Sequence, residues 1–283
     1  RYAAARIMAE EQRHGWQMAY LLMTYFGQQG RREAQKLLER NAQDGDRLLG
    51  AFNIPMPHWL DFFCYTMFVD RDGKFQLGML STSAFKPLAA SMGPMLKEES
   101  FHLGTGSNGL RRIIKAGVIP LDMLQRYINK WVSTAHDLFG VDASSSAHWA
   151  YVWGIKGRWD ERKKLDAGVE VNKEVLNEES RGHYHQEIVG EVRKLCGYLP
   201  EGAEELYVPH ENFNRAIGAT KGQHFNVDGT PFEGSEEDYA AYLAEVLPTD
   251  QDELDLQELF KQEWIANKPM STRQIESGIG ASA

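Results

Sequence analysis

The chain has 283 residues, of which 42% are hydrophobic and 25% are charged, the composition of an ordinary globular protein with a sizeable core. Its formal net charge of −9 argues against a general nucleic-acid-binding protein, which would carry an excess of basic residues. The two cysteines are too few for a disulfide framework, which favours a cytoplasmic location, and no run of about twenty apolar residues offers a membrane span.

The first half of the chain is predicted to be helical, because apolar residues recur at the i, i+3, i+4, i+7 spacing. A connection is expected at 44–59 and a turn at 81–85. Pro94 should kink or break its helix. The predicted helical segments are 1–28, 31–43, an apolar stretch from about 58 to 81, 86–108, a segment beginning at 111–117, and 120–140.

From about residue 141 the chain becomes aromatic and basic, and its periodicity weakens. Helices are predicted at 171–199 and at 235–248, where Ser235 is the expected N-cap. Short strands are expected within 200–235, and the last residues read as a tail. The predicted organisation is therefore a bundle over 1–140, a C-terminal extension packed on it over 141–268, and a tail over 269–283.

Two short stretches, EEQRHGW and EESFHLG, each contain a glutamate followed three residues later by a histidine: Glu11 with His14, and Glu99 with His102. On a helix, such a pair lies on one face, one turn apart. Both pairs lie among apolar residues, where an unpartnered glutamate and histidine would cost several kcal/mol. Two facing helices of this kind are typical of ferritin-like di-iron bundles, in which the other two helices add one carboxylate each.

The helix between the two motifs should supply one of those carboxylates. If the chain turns near 81–85, the position level with Glu99 is close to residue 70. Asp70 is therefore the predicted ligand, with Asp72 as the alternative. The remaining carboxylate is expected about thirty residues before Glu11, so the sequence is predicted to be the C-terminal part of a longer polypeptide.

The predicted fold is mainly α, a ferritin-like four-helix bundle whose first helix precedes this sequence, with an irregular α-rich extension. Carboxylates with one imidazole per ion suit iron or manganese, and no thiolate is present to favour zinc. A centre of two iron ions that uses O2 as co-substrate is the expected cofactor arrangement.

Three stretches, RIMAEEQRHGWQMAYLL, FFCYTMFVDRDGKFQLGML and MLKEESFHLGTGSNGLRRI, resemble the oxygenase components of benzoyl-CoA 2,3-epoxidases. The resemblance extends from residue 1 to about 268. More distantly, the chain is similar to the catalytic subunit of phenylacetyl-CoA epoxidase, which lacks much of the region after 141. Carried over by position, Glu11, His14, Asp70, Glu99 and His102 would be metal ligands, and the absent upstream glutamate is the departure from the pattern.

The resemblance implies a monooxygenase that inserts one atom of O2 across the 2,3 bond of the benzoyl ring of benzoyl-CoA, in aerobic benzoate degradation. Electrons would come from a separate NADPH-dependent reductase with flavin and iron–sulfur centres. No Gly-x-Gly-x-x-Gly fingerprint follows a strand in this chain, so that reductase is expected as a partner. No nucleic-acid or membrane partner is expected.

The phosphates of an acyl-CoA require local basic residues on an acidic chain. The candidates are Arg111, Arg112 and Lys115. A second basic cluster lies beside Trp153 and Trp159 and comprises Lys156, Arg158, Arg162, Lys163 and Lys164. Each cluster has a plainer interpretation as a solvated charged face. His183 and His185 are assigned to structure or surface, because an i, i+2 spacing does not place both on one helical face.

Other functions remain open at this point. The alternatives are a phenylacetyl-CoA-type ring epoxidase subunit and a non-enzymatic ferritin-like iron-binding protein. A radical-generating subunit would need a tyrosine close to the irons, for which Tyr65 is the candidate. A metal-free paralogue is disfavoured by the intact ligand pairs.

Overall fold

The computed structural model describes residues 2–161, 172 and 174–262, and within them the chain is mainly α-helical. A π-helix lies at Tyr65–Val69, and a 3-10 turn lies at Gly50–Asn53. The helices are α1 (Tyr2–Tyr25), α2 (Gly27–Glu39), α3 (Trp59–Cys64), α4 (Asp70–Leu80), α5 (Lys86–Ala116), α6 (Leu121–Leu138), α7 (Ser145–Val152), α8 (Leu176–Cys196), α9 (Glu236–Val246) and α10 (Asp250–Lys261).

Most predicted helices of the first half are confirmed. The expected turn at 81–85 separates α4 from α5, and the helix expected at 120–140 is α6. Ser235 caps α9 as predicted, in a capping box with Asp238. None of the helices within the described residues has the length and apolar character needed to cross a membrane.

The chain does not break at Pro94, and no separate helix begins at 111–117, because α5 runs without interruption from Lys86 to Ala116, while a kink at Pro94 stays a prediction. A proline normally clashes with the Cβ of the preceding residue when that residue is helical. Here the preceding residue is Gly93, which has no Cβ. Buried Met92 and Met95 also anchor the helix on both sides of the proline.

The strands expected within 200–235 are not found in the described residues, where only an isolated bridge joins Phe225 to Pro231. The stretch around Tyr207 packs against α6 without a partner strand. The Tyr207 N–H donates to Gln125 Oε1 at 2.9 Å, and its carbonyl accepts from Gln125 Nε2 at 3.0 Å. A side-chain amide thus satisfies the backbone groups that a strand partner would satisfy.

The main hydrophobic core is shared by the bundle and the region after 141. Trp131 and Tyr127 of α6 lie in the same cluster as Phe75 of α4 and Tyr184 of α8. The domain division at 140/141 remains a prediction, and the predicted tail at 269–283 lies outside the described residues.

Two glycines of α5 allow it to approach α3 and the π-helix closely. A Cβ at Gly106 would lie 2.5 Å from the Met67 nitrogen, and a Cβ at Gly109 would lie 2.2 Å from the ring of Phe63. These glycines belong to the sequence GTGSNG (104–109), which lies in the interior of a helix. Their role here is therefore helix packing, and the close packing fixes the position of Asp70 relative to Glu99 and His102.

Candidate metal centre

The five predicted ligands lie on three facing helices. Glu11 and His14 are on α1, Asp70 is the first residue of α4, and Glu99 and His102 are on α5. His102 is completely buried and central. Its Nδ1 lies 3.2 Å from Glu11 Oε1, 3.5 Å from Glu99 Oε2 and 3.7 Å from Asp70 Oδ2.

The carboxylate of Glu11 faces both histidines. Its Oε1 points to Nδ1 of His102, and its Oε2 lies 3.7 Å from Nδ1 of His14. The centroids of the two imidazole rings are 6.4 Å apart. One carboxylate between two imidazoles is the arrangement in which a glutamate can be shared by two metal ions.

The other nitrogen of each histidine meets a glutamate of the opposite motif. His102 Nε2 lies 3.0 Å from Glu10 Oε2, and His14 Nε2 lies 2.7 Å from Glu98 Oε2. An ionised carboxylate only accepts hydrogen bonds, so each Nε2–H must donate. This fixes the Nδ1 atoms toward the acidic cluster, as a second carboxylate does for histidines that bind metals.

Each of these outer glutamates also pairs with an arginine. Arg6 Nε donates to Glu10 Oε1 at 2.8 Å, and Arg13 pairs with Glu98. Glu10 and Glu98 were not predicted from the sequence as functional residues. The signal was present, since both motifs begin with a double glutamate, but only the second glutamate was assigned a role.

Asp70 reaches the site because of the π-helix that precedes it. The Asp70 N–H donates to the carbonyl of Tyr65, an i to i−5 bond, so the turn contains one residue more than an α-helical turn. Asp72, the alternative ligand, is buried elsewhere and accepts a hydrogen bond from Gln76 Nε2 at 3.1 Å. Burial raises the pKa of Asp72 to about 7.

Because several carboxylates lie close together, the pKa values of the titratable groups in the site are shifted from their usual values. Burial opposes charge on His102, but the nearby carboxylates of Glu11 and Glu99 outweigh it and raise its pKa to about 11. Desolvation likewise opposes charge on Glu11, whose side chain is 49% exposed, but the nearby imidazoles of His102 and His14 lower its pKa to about 2. Burial and neighbouring negative charges raise the pKa of Asp70 and of Glu99.

The residues fit a metal group. Three buried atoms at the centre, Asp70 Oδ2, Glu99 Oε2 and His102 Nδ1, have no hydrogen-bond partner. Buried polar atoms normally have one, and a cation would satisfy all three together. Donor atoms of Glu11, Glu99 and His102 lie within 4.8 Å of one another. The donors are carboxylates and imidazoles, which suits iron or manganese.

One side of the site is open to a groove of about 1250 Å³ between α1 and α3. Glu11 and Asp70 lie in its wall together with apolar side chains such as Ile7 and Phe62. Met8, which also lines the groove, is 71% exposed. The groove therefore presents an apolar surface that the described residues do not cover.

The predicted basic residues lie away from the metal ligands. Arg111 and Lys115 lie near the end of α5, with their charges 5.7 Å and 4.7 Å from the ring centre of Tyr198. Arg112, beside them, is exposed.

The second basic cluster is only partly described. Lys156 Nζ donates to Gln76 Oε1 at 2.9 Å and to Asn177 Oδ1 at 2.7 Å, and Arg158 pairs with Asp160. Lys156 therefore links its own stretch to α4 and α8, whereas the pair of Arg158 and Asp160 is local. The remaining members of the cluster, Arg162, Lys163 and Lys164, lie outside the described residues.

His183 and His185 do not share a site. His185 Nδ1 lies 3.3 Å from Nε2 of buried His136 on α6, whereas His183 is exposed beside the ring of Trp159.

Comparison with known proteins relates the chain to a protein family and to a named oxygenase component. A family model described as "Phenylacetic acid catabolic protein" matches residues 3–207. The chain is also 36% identical, over 293 aligned residues, to the protein named benzoyl-CoA oxygenase component B of Aromatoleum evansii. The alignment covers 88% of this chain and 61% of that relative, so the chain spans about three fifths of the relative's length.

Proposed function

Because the chain belongs to the phenylacetic acid catabolic protein family, we propose that it is the oxygenase part of a di-iron enzyme acting on an aromatic acyl-CoA. The family has a ferritin-like helical bundle, which agrees with the helical fold described above. The observation that carries the proposal is the cluster of Glu11, Asp70, Glu99 and His102 with its three unpartnered buried atoms.

Glu11, His14, Asp70, Glu99 and His102 would hold two iron ions, with Glu11 as the ligand shared between them. Glu10 and Glu98 would orient the two imidazoles. Bound iron would supply O2 activation for ring oxygenation. On α5, Met92 and Met95 follow the same helical face as Glu99 and His102 and are buried, so they would limit the access of water from that side.

A further carboxylate would complete the site, and the groove between α1 and α3 is the place for it. A ferritin-like bundle takes one carboxylate from each of the two helices that lack a Glu-x-x-His pair. Asp70 supplies the first of these. We propose that a helix bearing the second lies in the groove, where its apolar side chains would cover Ile7, Met8 and Phe62.

The proposed substrate is benzoyl-CoA, and the proposed reaction is epoxidation at the 2,3 position in aerobic benzoate degradation. It rests on the 36% identity to a protein named benzoyl-CoA oxygenase component B. A separate NADPH-dependent flavin and iron–sulfur reductase is the proposed partner, and the cytoplasm is the proposed location. Phenylacetyl-CoA is the second candidate substrate, because the family model is described by phenylacetic acid catabolism.

Arg111, Arg112 and Lys115 are the proposed contacts for the CoA phosphates. With a rise of 1.5 Å per residue, they lie roughly 14–20 Å from His102 along the axis of α5. A substrate with its ring at the iron would need a long flexible arm to reach them, and the pantetheine arm of CoA is such a linker.

Oxygen uptake by the full-length, iron-loaded protein with a reductase tests the function. Benzoyl-CoA should stimulate uptake more than phenylacetyl-CoA, and the product should be an epoxide. An Arg111→Glu, Lys115→Glu double variant should raise the KM for the acyl-CoA, while Lys221→Glu, on an exposed loop, should not. Iron loading far beyond two ions per chain, without acyl-CoA-dependent uptake, would indicate an iron-storage protein instead.

A further inference from the structure

Tyr65 shares the wall of the metal groove with Glu11 and Asp70. In an α-helix, residues five positions apart point in different directions. The π-helical turn between Tyr65 and Asp70 adds a residue, and this brings both side chains to the same side of the helix.

Behind Tyr65 lies a fully buried tryptophan. The rings of Tyr65 and Trp131 meet edge to face, with centroids 5.4 Å apart. Trp131 Nε1 donates a 2.8 Å hydrogen bond to Oδ1 of Asp61, which is only 1% exposed. Two oxidisable rings in contact thus connect the metal site to a buried carboxylate.

Asp61 is well placed to exchange a proton. Its Oδ1 also accepts from Lys130 Nζ at 2.8 Å, and its Oδ2 lies 3.1 Å from His58 Nε2. The Lys130 side chain is 25% exposed, so this network reaches solvent. Lys130 Nζ lies 4.8 Å from the ring centre of Trp131, where its positive charge disfavours a tryptophan cation. Oxidation of Trp131 must therefore be coupled to loss of its indole proton.

We propose that Tyr65 and Trp131 form a redox relay that supplies an electron to the metal centre when no substrate is present, and that Asp61 accepts the proton of Trp131. The proposal rests on the di-iron function, since the oxidant is a high-potential iron centre left by reaction with O2. The relay would quench that oxidant inside the protein before it damages the metal ligands.

Electrons and protons balance in two steps. Tyr65 gives one electron to the iron centre and its phenolic proton to water in the groove that it lines, which leaves a neutral tyrosyl radical. Trp131 then gives one electron to that radical, which takes back a proton, while the Nε1 proton of Trp131 moves to Asp61. An external reductant such as ascorbate, or the reductase, returns one electron to Trp131, and Asp61 returns the proton.

The test is freeze-quench electron paramagnetic resonance of the full-length protein, loaded with ferrous iron and mixed with O2 in the absence of acyl-CoA. The wild type should give an organic radical whose line shape changes when its tryptophans are ring-deuterated. Trp131→Phe should move the radical to tyrosine, so that ring-deuterated tyrosine changes the line shape instead. Tyr65→Phe should abolish the signal.

Tyr184→Phe is the matched control, because Tyr184 is completely buried but packs against His136 and Phe139, away from the site. It should leave the radical unchanged. Iron content and circular dichroism of each variant separate loss of the relay from loss of the fold. A wild-type protein that holds two irons and consumes O2 without a protein radical would overturn the relay and leave the function standing. So would a radical that survives Tyr65→Phe. A protein that binds no iron would overturn both.

Discussion

Glu10 and His102 lie 3.0 Å apart on facing helices, and Glu98 and His14 repeat the same relationship in the opposite direction at 2.7 Å. Each motif therefore contributes one glutamate to the centre and one to the histidine of the other motif. This crossing makes α1 and α5 mutually dependent, because neither histidine is oriented by its own helix alone.

Removing an outer glutamate should weaken metal binding without removing a ligand. Loss of such a partner typically costs 10–100-fold in affinity. We expect Glu10→Ala and Glu98→Ala each to lower iron affinity by about that factor, measured by competition with a chelator. Glu33→Ala, on the surface of α2, is the control and should change nothing. An unchanged affinity in both outer variants would refute the orienting role.

Because α5 approaches the π-helix closely, alanine substitutions at two of its glycines should change the free energy of unfolding in opposite directions. Gly106→Ala places a methyl group 2.5 Å from the Met67 nitrogen, so it should destabilise the protein by about 1–3 kcal/mol. Gly104→Ala meets nothing within 4 Å and should stabilise the helix by roughly 0.5–1 kcal/mol. Urea unfolding of the two variants measures the difference, and equal effects would contradict the packing.

The pair formed by His136 and His185 predicts an acid-sensitive contact between α6 and α8. Burial, and then nearby positive groups, lowers the pKa of His136 well below its usual value, and burial lowers the pKa of His185. The unfolded chain therefore binds more protons near pH 6.5 and below. The free energy of unfolding should fall as the pH drops through that range, by up to about 1.4 kcal/mol per pH unit for each group.

Denaturant unfolding between pH 7.5 and about 5.5 tests this, within the range where histidines titrate. His136→Gln should flatten the dependence, whereas His183→Gln, at an exposed position of the same helix, should leave it as in the wild type. Identical slopes in all three proteins would show that the pair does not titrate on unfolding.

Much of the architecture was predictable from the helical periodicity and the position of one turn. Together they determine which residues of two antiparallel helices lie at the same level along the bundle. The turn at 81–85 was enough to place Asp70 level with Glu99, and the structure brings Asp70 to His102.

The π-helix was not predictable, since an additional residue inside the apolar run FFCYTMFVD leaves no mark on its hydrophobic pattern. Nor could the sequence show that Gly93 lets α5 continue through Pro94, or that Gln125 replaces a strand partner for Tyr207. The outer glutamates were missed because their partners lie on the opposite helix, and a local motif does not show such a pairing.

We propose that Glu11, His14, Asp70, Glu99 and His102 together hold two iron ions. Iron per chain, measured after anaerobic loading and desalting of the full-length protein, tests it most directly. We expect two ions per chain in the wild type, a large loss of iron in Glu11→Ala, and wild-type iron content in Asp72→Asn. Full iron content in Glu11→Ala, Glu99→Ala and His102→Ala alike would contradict it.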